Sequence, residues 1–385
     1  MKPGYLTKYR DELDPLPDLH LLTAASPMAK EDEESNTWFA LGRDEVRTVL
    51  SDASFSNLPA AGDSDPPRVP RPEPGNPLQW DGTEHGRLRR MLGRELSPRR
   101  VRAMTPLLRE MVTEQLDVLE AAGQPADLMR YFAWPLAGRV CSLLFGLPRD
   151  DMAELARHAA IRTLRVGQKQ TASAKAYGNW VHRMLAAKRR EPGDDLLGRL
   201  VREHGDAITD EELMGLFSSI LFSELEGMTH MTGAGVLALL RHPDQLALLR
   251  ERPELMDHAV EELIRYASVI PFASPRNVVE DVRLGGRTIR AGDVVHCSLF
   301  AANRSQPPGE PPDGLDVTQD STNHLAFGHG AHFCIGATLA RAQLRTSLEG
   351  LLRHFPTLRL GVAPDAIRYR VHSPQHGIES LPIAW

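Results

Sequence analysis

Phe327-Gly328-His329-Gly330-Ala331-His332-Phe333-Cys334-Ile335-Gly336 sets a single cysteine among glycines at 328, 330 and 336. Glycine allows backbone angles closed to other residues, so such a loop can lie close against something flat. Cys334 stands just before a stretch with helical spacing, where unpaired N–H groups and the positive end of the helix dipole stabilise a thiolate. A lone thiolate held this way is poor for zinc. It suits a haem iron, where it pushes electron density to favour O–O cleavage. Taken alone, a cysteine in a glycine-rich turn is more often a buried packing residue, so the rest of the chain has to decide. Glu262-Leu263-Ile264-Arg265 offers a second chemical pair. An arginine–carboxylate fork is planar and bidentate and can lock a helix to a neighbouring loop.

Rigid elements must hold these groups. The Thr-x-x-Glu pattern of Thr209 and Glu212 predicts a capping box, and nothing obliges the helix it opens to stop before Pro243. Such a helix is about 50 Å long at 1.5 Å per residue, enough to cross a whole domain. Val101, Met104, Leu107, Leu108, Met111, Val112 and Leu116 recur at three and four, which predicts a helix from Pro98 that Gly123 stops. Glu154 to Arg190 reads as two or three helices, Pro253 to Tyr266 as another, and Ile335 to Phe355 as the helix behind Cys334. Val278 to Val295 predicts short hairpins around Gly285-Gly286 and Ala291-Gly292, and strand-like pieces return at Ile367 to Arg370. Leu58 to Gln79 carries seven of the 29 prolines and predicts an extended loop, of a length common in substrate lids. No repeat or composition shift divides the chain. Residues 1–385 read as a single, mainly α domain, a large helical part with a small β-rich region.

The 385 residues are 42% hydrophobic and 25% charged, with a formal net charge of −6. That balance argues against nucleic-acid binding and against a polybasic membrane surface. Cys141, Cys297 and Cys334 are too few and too scattered for a disulfide framework or a four-thiolate zinc site, and they fit a reducing cytoplasm. No run of about 18 apolar residues predicts a membrane span. Met1 to Glu12 lacks the apolar core of a signal peptide. A soluble cytoplasmic protein is expected.

The ten residues around Cys334 resemble the haem-binding signature of the cytochromes P450, and the resemblance extends from about Trp38 to Trp385. It implies the P450 fold and a haem b ligated by Cys334, with Phe327, Gly328 and Gly336 belonging to the loop that faces it. Glu262-x-x-Arg265 looks like the family's Glu-x-x-Arg helix, a structural lock that a further arginine often completes. Gly314 stands where that arginine is expected, and Arg304 is the substitute this sequence offers. His85-x-x-x-Arg89, Arg276 and His332 match the family's haem-propionate donors, which two buried carboxylates require. The resemblance also implies dioxygen, and electrons from NAD(P)H through a ferredoxin reductase and a ferredoxin. Arg94, Arg99, Arg100, Arg102, Arg341 and Arg345 are candidates for a basic patch near Cys334 that an acidic ferredoxin would meet.

In most members the long helix carries Ala-Gly-x-(Asp/Glu)-Thr, whose acid–alcohol pair delivers protons to bound dioxygen. Here the block falls on Ser223-Glu224-Leu225-Glu226-Gly227. The acid is kept as Glu226, the threonine is Gly227, and the usual glycine is Glu224. A glycine inside a helix costs about 1 kcal/mol relative to alanine, so Gly227 predicts room for a bulky substrate or a kink beside bound oxygen. His230, one turn after Glu226, is placed to pair with it. Thr229 is two residues displaced and points to another face. Loss of the alcohol favours substrates with their own hydroxyls, such as phenols. It also favours chemistry that stops at hydrogen abstraction. A peroxide-driven route with Glu224 or Glu226 as acid–base competes with it.

Pro148-Arg149-Asp150-Asp151 opens a helix with proline and acids in its first turn. It is also similar to the motif by which the P450s of glycopeptide-antibiotic assembly dock on the recruitment domain of a peptide synthetase. The altered central helix and the ending His376 to Pro382 resemble that group too. This narrower resemblance implies a phenol-coupling oxidase for a carrier-bound peptide, joining two tyrosine-like rings as an aryl ether or a biaryl. Glu226, Gly227 and Glu224 would then serve the reaction. Two other readings stand beside it. One is a P450 monooxygenase that hydroxylates or epoxidises a free macrolide or terpenoid. The other is a haem-binding sensor or scaffold that performs no oxidation.

Overall fold

A computed structural model describes residues 10–11, 13–15, 23, 25–58, 72–148, 167–304, 314–370 and 375–385. Its helices are α1 (Arg43–Ser51), α2 (Gly82–Glu95), α3 (Pro98–Ala121), α4 (Trp134–Phe145), α5 (Gly167–Arg190) and α6 (Leu196–His204). There follow α7 (Asp210–Phe222), α8 (Thr229–Arg241), α9 (Pro243–Glu251), α10 (Met256–Ala267), α11 (Leu299–Arg304) and α12 (Ala337–His354). The long helix expected from Thr209 is present but not uniform. The Thr209 hydroxyl accepts from the Glu212 N–H at 3.2 Å, and the Glu212 carboxylate accepts from the Thr209 N–H at 2.9 Å, which completes the capping box. A π turn at Ser223–Met228 then joins α7 to α8, so one helical rod runs from Asp210 to Arg241. Such turns loosen the regular ladder, and they are frequent at functional sites.

The rod crosses the interior. Every residue of α8 from Thr229 to Leu239 is buried, as expected of a helix apolar nearly all round. It packs on α10 and α12, and α3 lies along α12. Pro98 occupies the first turn of α3, where its missing N–H costs nothing, and Gly123 ends that helix's run with a φ of +78°. The expected helix from Pro253 begins as a 3₁₀ turn, Pro253–Leu255, and becomes α10. Of the two or three helices expected over 154–190, α5 covers the second part, and 149–166 lie outside the described residues.

A five-stranded sheet runs in the order Met28–Lys30, Thr37–Ala40, Val294–Cys297, Arg276–Val278, Phe55–Ser56. Thr37–Ala40 pairs parallel with Val294–Cys297, and the other pairings are antiparallel. The predicted hairpin is Val282–Leu284 with Arg287–Ile289. Gly285 and Gly286 turn it with φ of +55° and +74°, the positive pair a tight hairpin turn needs. One large apolar cluster joins the helices, and a smaller one lies under the sheet. Of the predicted proline-rich loop, 59–71 lie outside the described residues. Pro77–Gln79 forms a 3₁₀ turn instead of extended chain. The end of the loop is pressed onto α7, because a Cβ at Gly215 would strike the Pro74 carbonyl and one at Gly75 the Glu212 backbone.

Candidate active site

The Cys334 N–H donates to the Phe327 carbonyl at 2.8 Å and closes the loop. Gly328 and Gly330 take φ of +74° and +69°, and a Cβ at Gly330 would strike the backbone of Leu50 and Ser51, so the loop lies hard on α1. Cys334 presents accessible surface, yet burial is the main influence on its thiol. Burial pushes that thiol up. The Gly336 backbone N–H and the charges of Arg89 and Arg341 act the other way. Arg341 stacks on the Phe327 ring at 4.7 Å, and Glu261 holds its guanidinium through bonds of 2.5 and 2.7 Å. Burial alone would raise Glu261, but hydrogen bonds from His324 and Arg341 outweigh it and hold the carboxyl at about 2.

The four expected propionate donors converge. The His85 and His332 rings stack with centroids 3.9 Å apart. Arg89 donates to the Phe333 carbonyl at 2.7 Å. Arg276 is buried and donates to Asn57 and to the Ser274 carbonyl. Asp81 and Asn57 complete the group and were not singled out from sequence. Asp81 precedes α2 in the capping position but makes no side-chain cap there. Its carboxylate instead accepts from the Ser56 hydroxyl, the Asn57 N–H and His332, the last at 2.9 Å. His85 keeps a buried Nε2 without a partner. Burial, then the charges of His332 and Arg89, depress it to about 4.

The Glu262–Arg265 lock is buried, with Glu262 fully enclosed. Two bonds of 2.7 Å join the fork to the carboxylate, and Arg265 also donates to the carbonyls of Asn303 and Gly314. Glu262 accepts from the Ser321 hydroxyl and the Asp316 N–H. Gly314, which lacks the family's arginine, thus contributes its carbonyl. Arg304 stacks on Tyr266 at 3.9 Å and donates to the Tyr266 carbonyl.

In the π turn, Glu224 and Glu226 are both buried. Gly227 is partly open between buried neighbours, and a Cβ there would meet nothing within 4 Å. Thr229 is fully buried with its hydroxyl unpartnered. His230 accepts from Arg370 at 2.7 Å, and a Cβ at Gly377 would run into its ring. This ties the C-terminal hairpin (Arg368–Tyr369 with Ile378–Ser380) onto α8. Burial, then Arg370, lower His230 to about 3, so it stays neutral.

The arginines expected to form a basic patch are largely compensated. Arg94 pairs with Glu203, Arg341 with Glu261, and Arg345 with Asp257 and Glu349. Arg100 lies 3.6 Å from Glu95. Pro148 is exposed just after α4, whereas Arg149, Asp150 and Asp151 lie outside the described residues.

A cysteine held at the mouth of a glycine-rich loop, an unpartnered buried histidine nitrogen and two arginines gathered beside it form a donor set that fits a haem. Cys334 would take the iron, and His85, Arg89, Arg276 and His332 the two carboxylates. Fold and site define a haem-thiolate protein, and the chain belongs to the cytochrome P450 family, whose description matches residues 182–365. It is 38% identical to cytochrome P450 165A3 of Amycolatopsis orientalis over 383 residues, which covers 98% of this chain and 96% of that one. Nocardicin C N-oxygenase of Nocardia uniformis is 38% identical over 358 residues, 90% of this chain and 89% of the relative. Among solved structures, OxyE, a P450 involved in teicoplanin biosynthesis, is 40% identical with a TM-score of 0.89, covering 99% of each chain. OxyC, implicated in an oxidative C–C coupling reaction during vancomycin biosynthesis, is 37% identical with a TM-score of 0.89, covering 98% of this chain and 96% of that one. The chain is accordingly an oxidoreductase of a family that holds its haem iron by a cysteine thiolate and works with dioxygen and redox partners. No described helix is long and apolar enough to cross a membrane.

Proposed function

We propose that this P450 joins aromatic side chains of a carrier-bound peptide during assembly of a glycopeptide antibiotic. The observation that carries the reading is the central helix. Gly227 stands where most members keep an alcohol, and its face is open, on a chain similar to OxyE and OxyC over nearly its whole length. Bound to Cys334, haem b supplies dioxygen activation and one-electron oxidation. One phenolic ring gives up a hydrogen atom, then a second, and the two rings join as an aryl ether or a biaryl. The two hydrogens leave in water, with electrons drawn from NAD(P)H through a ferredoxin reductase and ferredoxin in the cytoplasm. In this reading Gly227 leaves space for the rings and Glu226 relays protons. His230, bonded to Arg370, holds the hairpin in place.

Pro148, Arg149, Asp150 and Asp151 dock the recruitment domain of the peptide synthetase. Replacing Arg149, Asp150 and Asp151 together with alanine is expected to weaken binding to that domain at least tenfold, read by calorimetry on the haem-loaded protein. Unchanged affinity removes the docking assignment. The similarity to nocardicin C N-oxygenase favours a second reading, oxygenation of a free small molecule, which needs no carrier.

A further inference from the structure

The C-terminal hairpin lies along one stripe of the central rod. A Cβ at Gly377 would run into the His230 ring, and one at Gly233 would touch Ile378 at 3.8 Å. Gly227, His230 and Gly233 follow at a spacing of three and share a face. At Gly227 an added Cβ meets nothing within 4 Å, so the described part of the hairpin covers His230 and Gly233 and stops short of the next turn.

Arg370 stands at this margin. Its backbone N–H donates to the Gly377 carbonyl at 2.8 Å, and its half-buried guanidinium donates to His230 Nε2 at 2.7 Å. A guanidinium keeps several further N–H donors and a full positive charge. A charge drawn out of water is ordinarily matched by an opposite one. Elsewhere in this chain that holds: Arg265 meets Glu262, Arg341 meets Glu261 and Arg199 meets Glu95. Among the described residues no carboxylate forms an ion pair with Arg370, and its side-chain partner is an imidazole. Burial, then Arg370 itself, keep that imidazole neutral. His230 thus orients the fork and cancels none of its charge.

We infer that Arg370 is a substrate-binding residue that receives the oxygen of a phenolic ring lying against the Gly227 turn and takes that ring up as its anion. The inference rests on the ring-coupling reading and names the form in which the ring is bound. The phenol O–H bond breaks, the proton is left to the solvent, and the negative oxygen gains a charge-assisted bond to the guanidinium. A ring held this way has only an electron left to give to the dioxygen chemistry of the haem to complete the loss of one hydrogen atom. His230 is the positioning residue behind it.

The test is equilibrium dialysis of the haem-loaded protein with p-nitrophenol and with its methyl ether, p-nitroanisole, across the pH range in which the phenol ionises in water. A cation within a few ångströms favours an ionised acid by about one to three pKa units, so p-nitrophenol should bind about tenfold or more tightly once ionised. The ether has no proton to lose and should bind equally throughout. Arg370→Gln should abolish the rise and keep the affinity for the ether, and Arg370→Lys should retain part of the rise. Glu226, His230, Tyr369 and His376 are the other titratable groups on the elements packed here. They are common to the natural protein and R370Q, so the difference between the two isolates Arg370. An undiminished rise in R370Q overturns the assignment, since the iron or another cation then holds the oxygen. Equal loss of both probes in R370Q also overturns it and leaves Arg370 a residue that only holds the hairpin. Binding is read and not turnover, so a failure of ring coupling leaves the assignment standing, and the reverse also holds.

Discussion

Cys334→Ser is expected to reduce turnover to background and to abolish the thiolate-type spectrum of the reduced, CO-bound protein. Serine keeps the size of the side chain, so the loop closed by the Phe327 carbonyl at 2.8 Å and seated on α1 should survive. What is lost is the thiolate, which the Gly336 N–H and the charges of Arg89 and Arg341 favour against burial and which a hydroxyl cannot replace. Haem should still bind, because His85, Arg89, Arg276 and His332 would hold its carboxylates rather than its iron. The check is a pair of spectra on one sample: haem content by extraction, and the CO difference spectrum. Retained haem with a shifted band is the expected result. An unshifted thiolate band would contradict the ligand assignment.

Arg265→Leu should be the most destabilising of the simple substitutions. It strips Glu262, fully buried, of both bonds at 2.7 Å, and it orphans the carbonyls of Asn303 and Gly314. Breaking a buried ion pair from one side costs about 3–5 kcal/mol, mainly because the remaining charge has no partner. Denaturant unfolding of the haem-loaded protein measures it. The double variant with Glu262→Gln should recover part of the loss, since the uncompensated charge is then gone. A loss below about 1 kcal/mol would mean the pair behaves as a surface pair does.

Much of this architecture is legible in the sequence because its signals are local. Thr209 and Glu212 mark a helix start, Gly285-Gly286 a hairpin, and the Gly-rich run a loop that crowds a flat partner. The π turn is not legible in this way. Periodicity predicts that α7 and α8 are one helix, and a single residue's worth of extra rotation leaves no mark in the pattern of apolar residues. Partners contributed by distant segments are also hidden. Glu262 and Arg265 announce each other at a spacing of three, but Ser321, Asp316 and the Asn303 carbonyl reach them only through the fold. Asp81 carries no signal in the sequence and holds His332 from the position before α2. Glu226 stands one turn from His230, while the bond to the imidazole comes from Arg370, 140 positions on. The arginine cluster shows the same limit: charge along a sequence gives the cations and not the acids, Glu203, Glu261, Asp257 and Glu349, that pair with three of them.

The most direct test of the account is the mass of an aromatic-rich peptide, presented on its carrier domain, after turnover with ferredoxin, ferredoxin reductase, NADPH and dioxygen. Loss of two hydrogens per link is the predicted result, and it would show why this central helix works with Gly227 in place of the alcohol. Gain of one oxygen instead would contradict the proposal and make the enzyme a monooxygenase.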